Sequence, residues 1–320
     1  MSTVRLVHDE FLYDEFPNCP SCHASSIVET PDGTLLSGCF AGSKESGSDT
    51  VVLLSRKEAG SNGWETHVHW DEPDHAAGNV RLFERPDGNL QIIYALNYGK
   101  WCRGGSRLFQ QTSADGGKTW SEQVAIPCDP PLLGKNRPIL LGNGSLVMPM
   151  TIEGEKHGSA ALMSGDGGDT WEKSQEIQAD DGTDVLQPTA VELQSGDVLF
   201  LHRTDGGRIY RSTSSDDGYT WTAAEPTALP NNHSGIDVAK LSDGRMVLAY
   251  NPVEKSWGPR TPLAVALSED DGETFERALT LEDQPGEYSY PTVIQTRNGL
   301  VHATYTYLRK KIKHVVLQLE

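Results

Sequence analysis

The chain is written in short runs in which apolar and polar positions alternate, each cut by a turn after a few residues. Six of the cuts carry one signature. Asp32-Gly33, Asp87-Gly88, Asn143-Gly144, Ser195-Gly196-Asp197, Asp243-Gly244 and Asn298-Gly299 each stand between an alternating run and a β-rich run, as in Ser26-Ile-Val-Glu29 before the first and Thr34-Leu-Leu-Ser37 after it. Alternation of period two turns one side of a strand toward a core, and Asn-Gly or Asp-Gly supplies the positive φ that a tight hairpin needs. No stretch shows the 3.6-residue period of a long amphipathic helix. Six hairpins predict an all-β chain folded as a six-bladed β-propeller, with four antiparallel strands per blade.

A second repeat runs in step with the first. Ser113-Ala-Asp-Gly-Gly-Lys-Thr-Trp120, Ser164-Gly-Asp-Gly-Gly-Asp-Thr-Trp171, Ser214-Ser-Asp-Asp-Gly-Tyr-Thr-Trp221 and Ser268-Glu-Asp-Asp-Gly-Glu-Thr-Phe275 recur at roughly fifty residues, the length of a propeller blade, and Ser55 to Trp64 is a worn fifth copy. Asp and Ser side chains close such a turn on nearby N–H groups, Gly takes the positive φ, and the aromatic is free to pack between blades, so these boxes are structural turns. The chain ends on one strand, Lys313 to Leu319, with no box after it, while Val4 to His8 precedes the first hairpin as a spare strand. Pairing the two completes the sixth blade and leaves no open edge.

Strand parity then selects a face. In a blade of strands A to D, the A–B hairpin and the C–D box share one face, so the opposite face collects the starts of the inner strands and the B–C loops. Those positions hold His23, Asn79, Arg81, Asn136, Arg137, Gln187, Ser234, Asp237, Tyr288 and Tyr290. The loops add Lys44, Asp49, Trp101, Glu153, His157, Arg203, Arg208, Glu254, Arg260, Tyr307 and Arg309. Such a set of cations, acids and aromatics converging on one channel mouth suits an anionic ligand and acid/base work.

Composition narrows the partners. The 320 residues carry 27 Lys and Arg against 45 Asp and Glu, a formal charge of −18. That field repels nucleic acid and anionic membrane, and a local arginine cluster is required before an anionic sugar can bind. The N-terminus lacks the basic-then-apolar pattern of a signal peptide and no long apolar run follows, so a cytoplasmic location is expected. Cys19, Cys22, Cys39, Cys102 and Cys128 are an odd number, which fits reduced thiols. Cys19-Pro-Ser-Cys22 has metal-ligand spacing without a second half-site, so neither metal nor other cofactor is expected. With no linker or composition break, residues 1–320 read as a single domain.

With these residues in view, the chain resembles the sialidase (neuraminidase) superfamily, in its group of short, signal-less predicted sialidases with Asp-box (BNR) repeats. The resemblance covers nearly the whole chain. It implies that Asp49, in the loop Ala41-Gly-Ser-Lys-Glu-Ser-Gly-Ser-Asp49, is the acid/base and that Tyr288, in Gly286-Glu-Tyr288-Ser289, is the nucleophile. It also implies that Arg203, or its neighbour Arg208, and Arg260 in Trp257-Gly-Pro-Arg260 clamp a substrate carboxylate, with Arg137 standing in for a third arginine. Two positions depart from the family. His23 stands where sialidases carry the first arginine, and Gln187 stands where a glutamate deprotonates the tyrosine; an amide cannot take that proton. His23 is then expected to orient substrate or act as base, and Lys44, Gln187, Asp237 and Arg208 are further candidates for substrate contact.

The implied function is a glycoside hydrolase acting exo-wise on an acidic sugar such as sialic acid. One alternative is a uronide lyase, in which arginines stabilise the enolate formed when His23 or Tyr288 removes a proton. Another is a carbohydrate-binding propeller without turnover.

Overall fold

The computed structural model describes residues 3–100 and 103–320; Trp101 and Cys102 lie outside the described residues. Six antiparallel sheets stand around a central channel, and among the described residues there is no helix. From the channel outward, blade 1 is Ser21–Glu29, Leu35–Gly42, Val51–Lys57 and Glu65–Trp70, and blade 2 is Ala76–Glu84, Leu90–Asn97, Ser106–Ser113 and Val124–Ile126. Blade 4 is Val185–Glu192, Val198–Thr204, Arg208–Ser214 and Glu225–Pro230, and blade 5 is Asp237–Lys240, Met246–Tyr250, Leu263–Ser268 and Glu276–Glu282. In blade 3 the innermost strand is broken into Leu132–Leu133 and Ile139–Leu140, both paired to Leu146–Ile152, followed by Gly158–Ser164 and Glu172–Lys173. Blade 6 is Tyr288–Gln295, Val301–Tyr307, Lys311–Leu319 and, outermost, Val4–Phe11 from the start of the chain.

The expected closure is therefore present: Val4 lies opposite Leu319 and Phe11 opposite Lys313. Middle strands such as Leu35–Gly42 and Val198–Thr204 are buried throughout, because neighbouring blades cover both faces, whereas outer strands such as Glu65–Trp70 are largely exposed. One apolar cluster fills each gap between blades, for example Phe200, Tyr210 and Trp221 with Val147 and Met163 between blades 3 and 4.

The boxes behave as turns. The Ser113 hydroxyl donates to Asp115 Oδ1 at 2.8 Å while accepting the Gly117 N–H, and Asp115 in turn accepts the N–H and hydroxyl of Thr119 at 2.9 and 2.6 Å. Asp166, Asp216 and Asp270 repeat the arrangement. Trp120, Trp171, Trp221 and Phe275 each pack into the gap toward the preceding blade.

One irregularity positions the site. In blades 1, 2, 4 and 6 the innermost strand holds one residue more than its partner, at His23/Ser26, Gly78/Arg81, Leu186/Thr189 and Ser289/Thr292. Each bulge carries a non-glycine residue at positive φ: Ala24 at 56°, Asn79 at 37°, Gln187 at 43° and Tyr290 at 52°. A bulge re-aims the side chain that it carries, and such backbone strain persists where surrounding structure over-determines it.

Candidate functional site

The bulges open onto a cavity of about 340 Å³ at the mouth opposite the Asp boxes. All six blades contribute to its wall: Phe40, Glu45 and Ser46; Ala77 to Asn79; Leu133 and His157; Leu186, Gln187 and Arg203; His233, Trp257 and Arg260; Tyr290 and Arg309. At its centre an Arg203 Nη1 N–H donates to the Tyr290 hydroxyl at 2.5 Å and to Gln187 Oε1 at 2.7 Å. The Arg203 and Arg260 guanidiniums lie 5.7 and 5.3 Å from the centre of the Tyr290 ring. Arg309 is the third cation. Its guanidinium donates to Glu45 at 2.7 Å and also to Glu287, which accepts from Arg260 at 2.7 Å as well. Burial alone raises the Glu287 carboxyl, but the two arginines outweigh it and hold the group below its ordinary value, so it stays charged and fixes both.

Behind the tyrosine sits His23, fully buried, its ring centre 4.1 Å from that of Tyr290. Its Nδ1 meets the Thr306 hydroxyl at 2.8 Å and its Nε2 is enclosed with no partner among the described residues. Burial, followed by Arg309, Arg260 and Arg203, pushes its pKa well below the ordinary value, so the imidazole is neutral. Beneath lies Lys135, also fully buried, at the break in the inner strand of blade 3. Its ammonium donates to Asn136 Oδ1 at 2.8 Å, to the Ile236 carbonyl at 3.3 Å and to the carbonyl of Pro291, the residue after Tyr290. Asn136 Nδ2 donates to the carbonyls of Ile236 and of Pro188, the residue after Gln187. Blade 3 thus ties down the two bulges that carry Gln187 and Tyr290. Gly235 leaves the room: a Cβ there would lie 3.2 Å from the Tyr290 ring and 3.4 Å from the Lys135 stem.

Several sequence expectations need correction. Tyr288 does not reach the cavity. It stands in regular strand before the bulge, so parity sends its ring into the core between blades 5 and 6 beside Tyr307, while its carbonyl accepts from Asn251. Tyr290, two residues on, is the tyrosine at the mouth. Asp49 is exposed and folds back on its own loop, accepting from the N–H and hydroxyl of Ser43 at 3.1 and 2.9 Å; Glu45 is the carboxylate that this loop sends to the cavity. Lys44 is exposed on the same loop and does not line the cavity. Arg208 pairs at the surface with Glu254 at 2.7 Å. Arg137 pairs with buried Asp237 at 3.2 Å and lines hollows on the hairpin side of the channel with Glu29, Glu84 and Arg297. Asp237 also accepts from Thr189 and the Val293 N–H at 2.7 and 2.8 Å, which makes it a tie between blades 4, 5 and 6. Glu153, expected at the mouth, accepts instead from Ser106 and the Gly104 N–H.

Arg203, Arg260 and Gln187 do meet at the cavity, with His23 directly behind. Glu45, His233 and Lys135 were not singled out from the sequence. A signal for Lys135 exists, because the four bulge residues each stand nine positions before their hairpin glycine, and the same offset from Gly144 and Gly244 gives Lys135 and Gly235.

Residues 33–303 match the family model described as a BNR repeat-like domain. The chain belongs to that family. It has the sialidase fold. A protein of unknown function from Dyadobacter fermentans aligns over 99% of this chain and 100% of its own, with a TM-score of 0.84 at 18% identity. A Hadza microbial sialidase aligns over 93% of this BNR-repeat chain and 66% of its own, at 0.80 and 18%. The intramolecular trans-sialidase of Ruminococcus gnavus, solved with oseltamivir carboxylate, aligns over 96% of both chains at 0.79 and 13%. No curated protein matches.

Proposed function

We propose that this BNR-repeat propeller is a glycoside hydrolase of the sialidase type, acting exo-wise on an acidic sugar, of which sialic acid is one candidate. The observation that carries the proposal is the convergence of Arg203 and Arg260 on Tyr290, with Arg309 in the wall of the same cavity, which is at the small end of the ligand-pocket range. Three guanidiniums in a chain of net charge −18 are a local reversal of its field, and they suit a carboxylate bound through charge-assisted, forked hydrogen bonds. Arg203 and Arg260 hold the carboxylate, while the Tyr290 oxygen, already an acceptor from Arg203, faces the reacting carbon. The likeness in fold to a trans-sialidase solved with a carboxylate ligand points the same way. Cys19, Cys22, Cys39 and Cys128 are free thiols, which supports a reducing compartment such as the cytoplasm. No helix of the described residues is long and apolar enough to cross a membrane.

One observation favours a second reading. Gln187 offers Tyr290 no carboxylate to take its proton, while neutral His23 lies against the ring with a free Nε2; this suits β-elimination from a uronide, with the arginines holding the enolate. The products separate the two. Incubation with acidic glycosides and uronic-acid oligosaccharides, following reducing ends and ultraviolet absorbance together, is expected to yield new reducing ends without absorbance. An unsaturated, absorbing product would replace hydrolysis by elimination. Binding without either product would make the propeller a carbohydrate-binding module.

A further inference from the structure

The cavity contains a pair of proton-carrying groups that neither Tyr290 nor the arginines account for. His157, at the end of the loop after Leu146–Ile152 in blade 3, lines the wall. Its Nδ1 lies 3.1 Å from Oδ2 of Asp184, the residue that leads into the inner strand of blade 4. A carboxylate accepts only, so Nδ1 carries the hydrogen and Nε2 is the atom left to exchange a proton. Nε2 is enclosed and has no partner among the described residues. Leaving a buried polar atom unpaired is costly, which is explicable where a ligand atom completes the bond. Asp184 is itself held, its N–H donating to Asp205 Oδ1 at 3.0 Å. The other groups at the cavity that could protonate a leaving oxygen are otherwise accounted for: Glu45 pairs with Arg309, Glu287 with Arg260 and Arg309, Asp49 lies on its own loop, and His233, whose Nδ1 also has no partner among the described residues, is pushed down to about 4 by burial first and then by Arg203, so it stays neutral.

We propose that His157 and Asp184 form the proton-transfer dyad of this site, with His157 as general acid on the departing sugar oxygen and Asp184 as the residue that fixes its ring. The arrangement follows the nucleophile–base–orienter logic of other hydrolases, with the roles placed on two adjacent blades. It rests on the hydrolase reading above. The step starts from the doubly protonated ring: Nδ1–H stays bonded to Asp184 while the Nε2 proton passes to the glycosidic oxygen as the bond to the anomeric carbon breaks, and that bond's electron pair stays on the oxygen. Water then gives its oxygen to the anomeric carbon and its proton to Nε2, so the dyad returns to its starting state and the sum is hydrolysis.

The test compares methyl and 4-nitrophenyl glycosides of sialic acid and of glucuronic acid. A methoxide leaving group needs a proton and nitrophenolate does not, so H157Q should lower kcat/KM on the methyl glycoside by about 100-fold or more and on the nitrophenyl glycoside by less than about 10-fold. D184N, which keeps the shape but loses the acceptor, should show the same selectivity to a smaller degree. Equal loss on both glycosides, or no loss, overturns the dyad while leaving the hydrolase standing. If the wild type cleaves none of the four, the hydrolase reading falls, and the dyad is decided by nitrogen NMR of His157, assigned through H157Q. Addition of free sialic or glucuronic acid should move its Nε2 signal, and an unmoved signal overturns the dyad.

Discussion

Tyr288 and Tyr290 share a side-chain type and a strand, and one backbone angle separates their fates. Tyr288 follows the regular pleat into the core; Tyr290, at a φ of 52°, swings its ring over His23 and its hydroxyl onto Arg203. Two substitutions distinguish them. Y290F should lower turnover of an acidic glycoside by about 100-fold or more with the fold intact, since it removes one oxygen at the reacting centre. Y288F should keep turnover within a small factor and lower stability by roughly 1 kcal/mol for a lost buried hydroxyl contact, read by urea unfolding. The reverse pattern would return the nucleophile to Tyr288. Gln187 permits a sharper test. Q187E puts a carboxylate on the same Arg203 Nη1 that bonds the Tyr290 hydroxyl, so a hydrolase using Tyr290 should retain or raise kcat. Abolished turnover would make the amide a substrate contact and shift the chemistry toward His23.

At the scale of the element, the blades were legible from the hairpin glycines and the boxes, because both are local turns whose chemistry is set by adjacent residues. The face was legible too, since it follows from strand order alone. Parity failed inside the inner strands, where one extra residue resets which side chain meets the channel; nothing local announces a bulge made by Ala24 or Asn79. Asp49 was misplaced for a related reason, because within the loop 43–50 only tertiary contact decides that Glu45 finds Arg309 while Asp49 caps Ser43. Lys135 shows what an element-level comparison can recover. It occupies the bulge position of a strand that is broken, and its ammonium holds the Tyr290 bulge across the channel through the Pro291 carbonyl, beside the Ile236 carbonyl of blade 5. K135M should take the Lys135 donor from the Pro291 carbonyl, leave the Ile236 carbonyl with Asn136 alone, and cost about 1–3 kcal/mol in chemical unfolding. Because the Tyr290 bulge loosens with it, kcat should fall more than KM rises. Unchanged kcat in K135M would show that the tie is purely structural.

The whole molecule closes where its two ends meet, and that junction is built on groups whose charge states depend on the fold. Glu10, on the first strand, accepts from Lys57 at 2.7 Å and from the Trp64 indole at 3.0 Å, both of blade 1, and lies 3.0 Å from His314 Nδ1 of blade 6. His314 in turn meets His302 at 2.9 Å. Burial by itself raises the Glu10 carboxyl, but the bonds from His314, Lys57 and Trp64 overcome it and hold the group well below the ordinary carboxylate range. Burial first, and then His314, push His302 down to about 3. The signs agree. A depressed carboxylate contributes stability that is present above its unfolded value near 4.5 and is lost as pH falls toward its folded value. A buried neutral histidine binds fewer protons folded than unfolded, so its contribution is complete above about 6.5 and drains away toward about 3. His202, held to about 3 by burial, adds the same sign elsewhere in the ring. The melting temperature should therefore be level above pH 7 and fall steadily below about 6.5. In E10Q, which breaks the latch without exposing an edge, it should start lower at pH 7 and fall less steeply below pH 4.5. Deleting residues 1–11 should lower it further at every pH, because the third strand of blade 6 then becomes an open edge. Calorimetric scans of the three proteins from pH 2 to 8 decide it: a melting temperature independent of pH in the full chain, or unchanged by the deletion, would mean that the ring is held by its inter-blade cores and not by this closure.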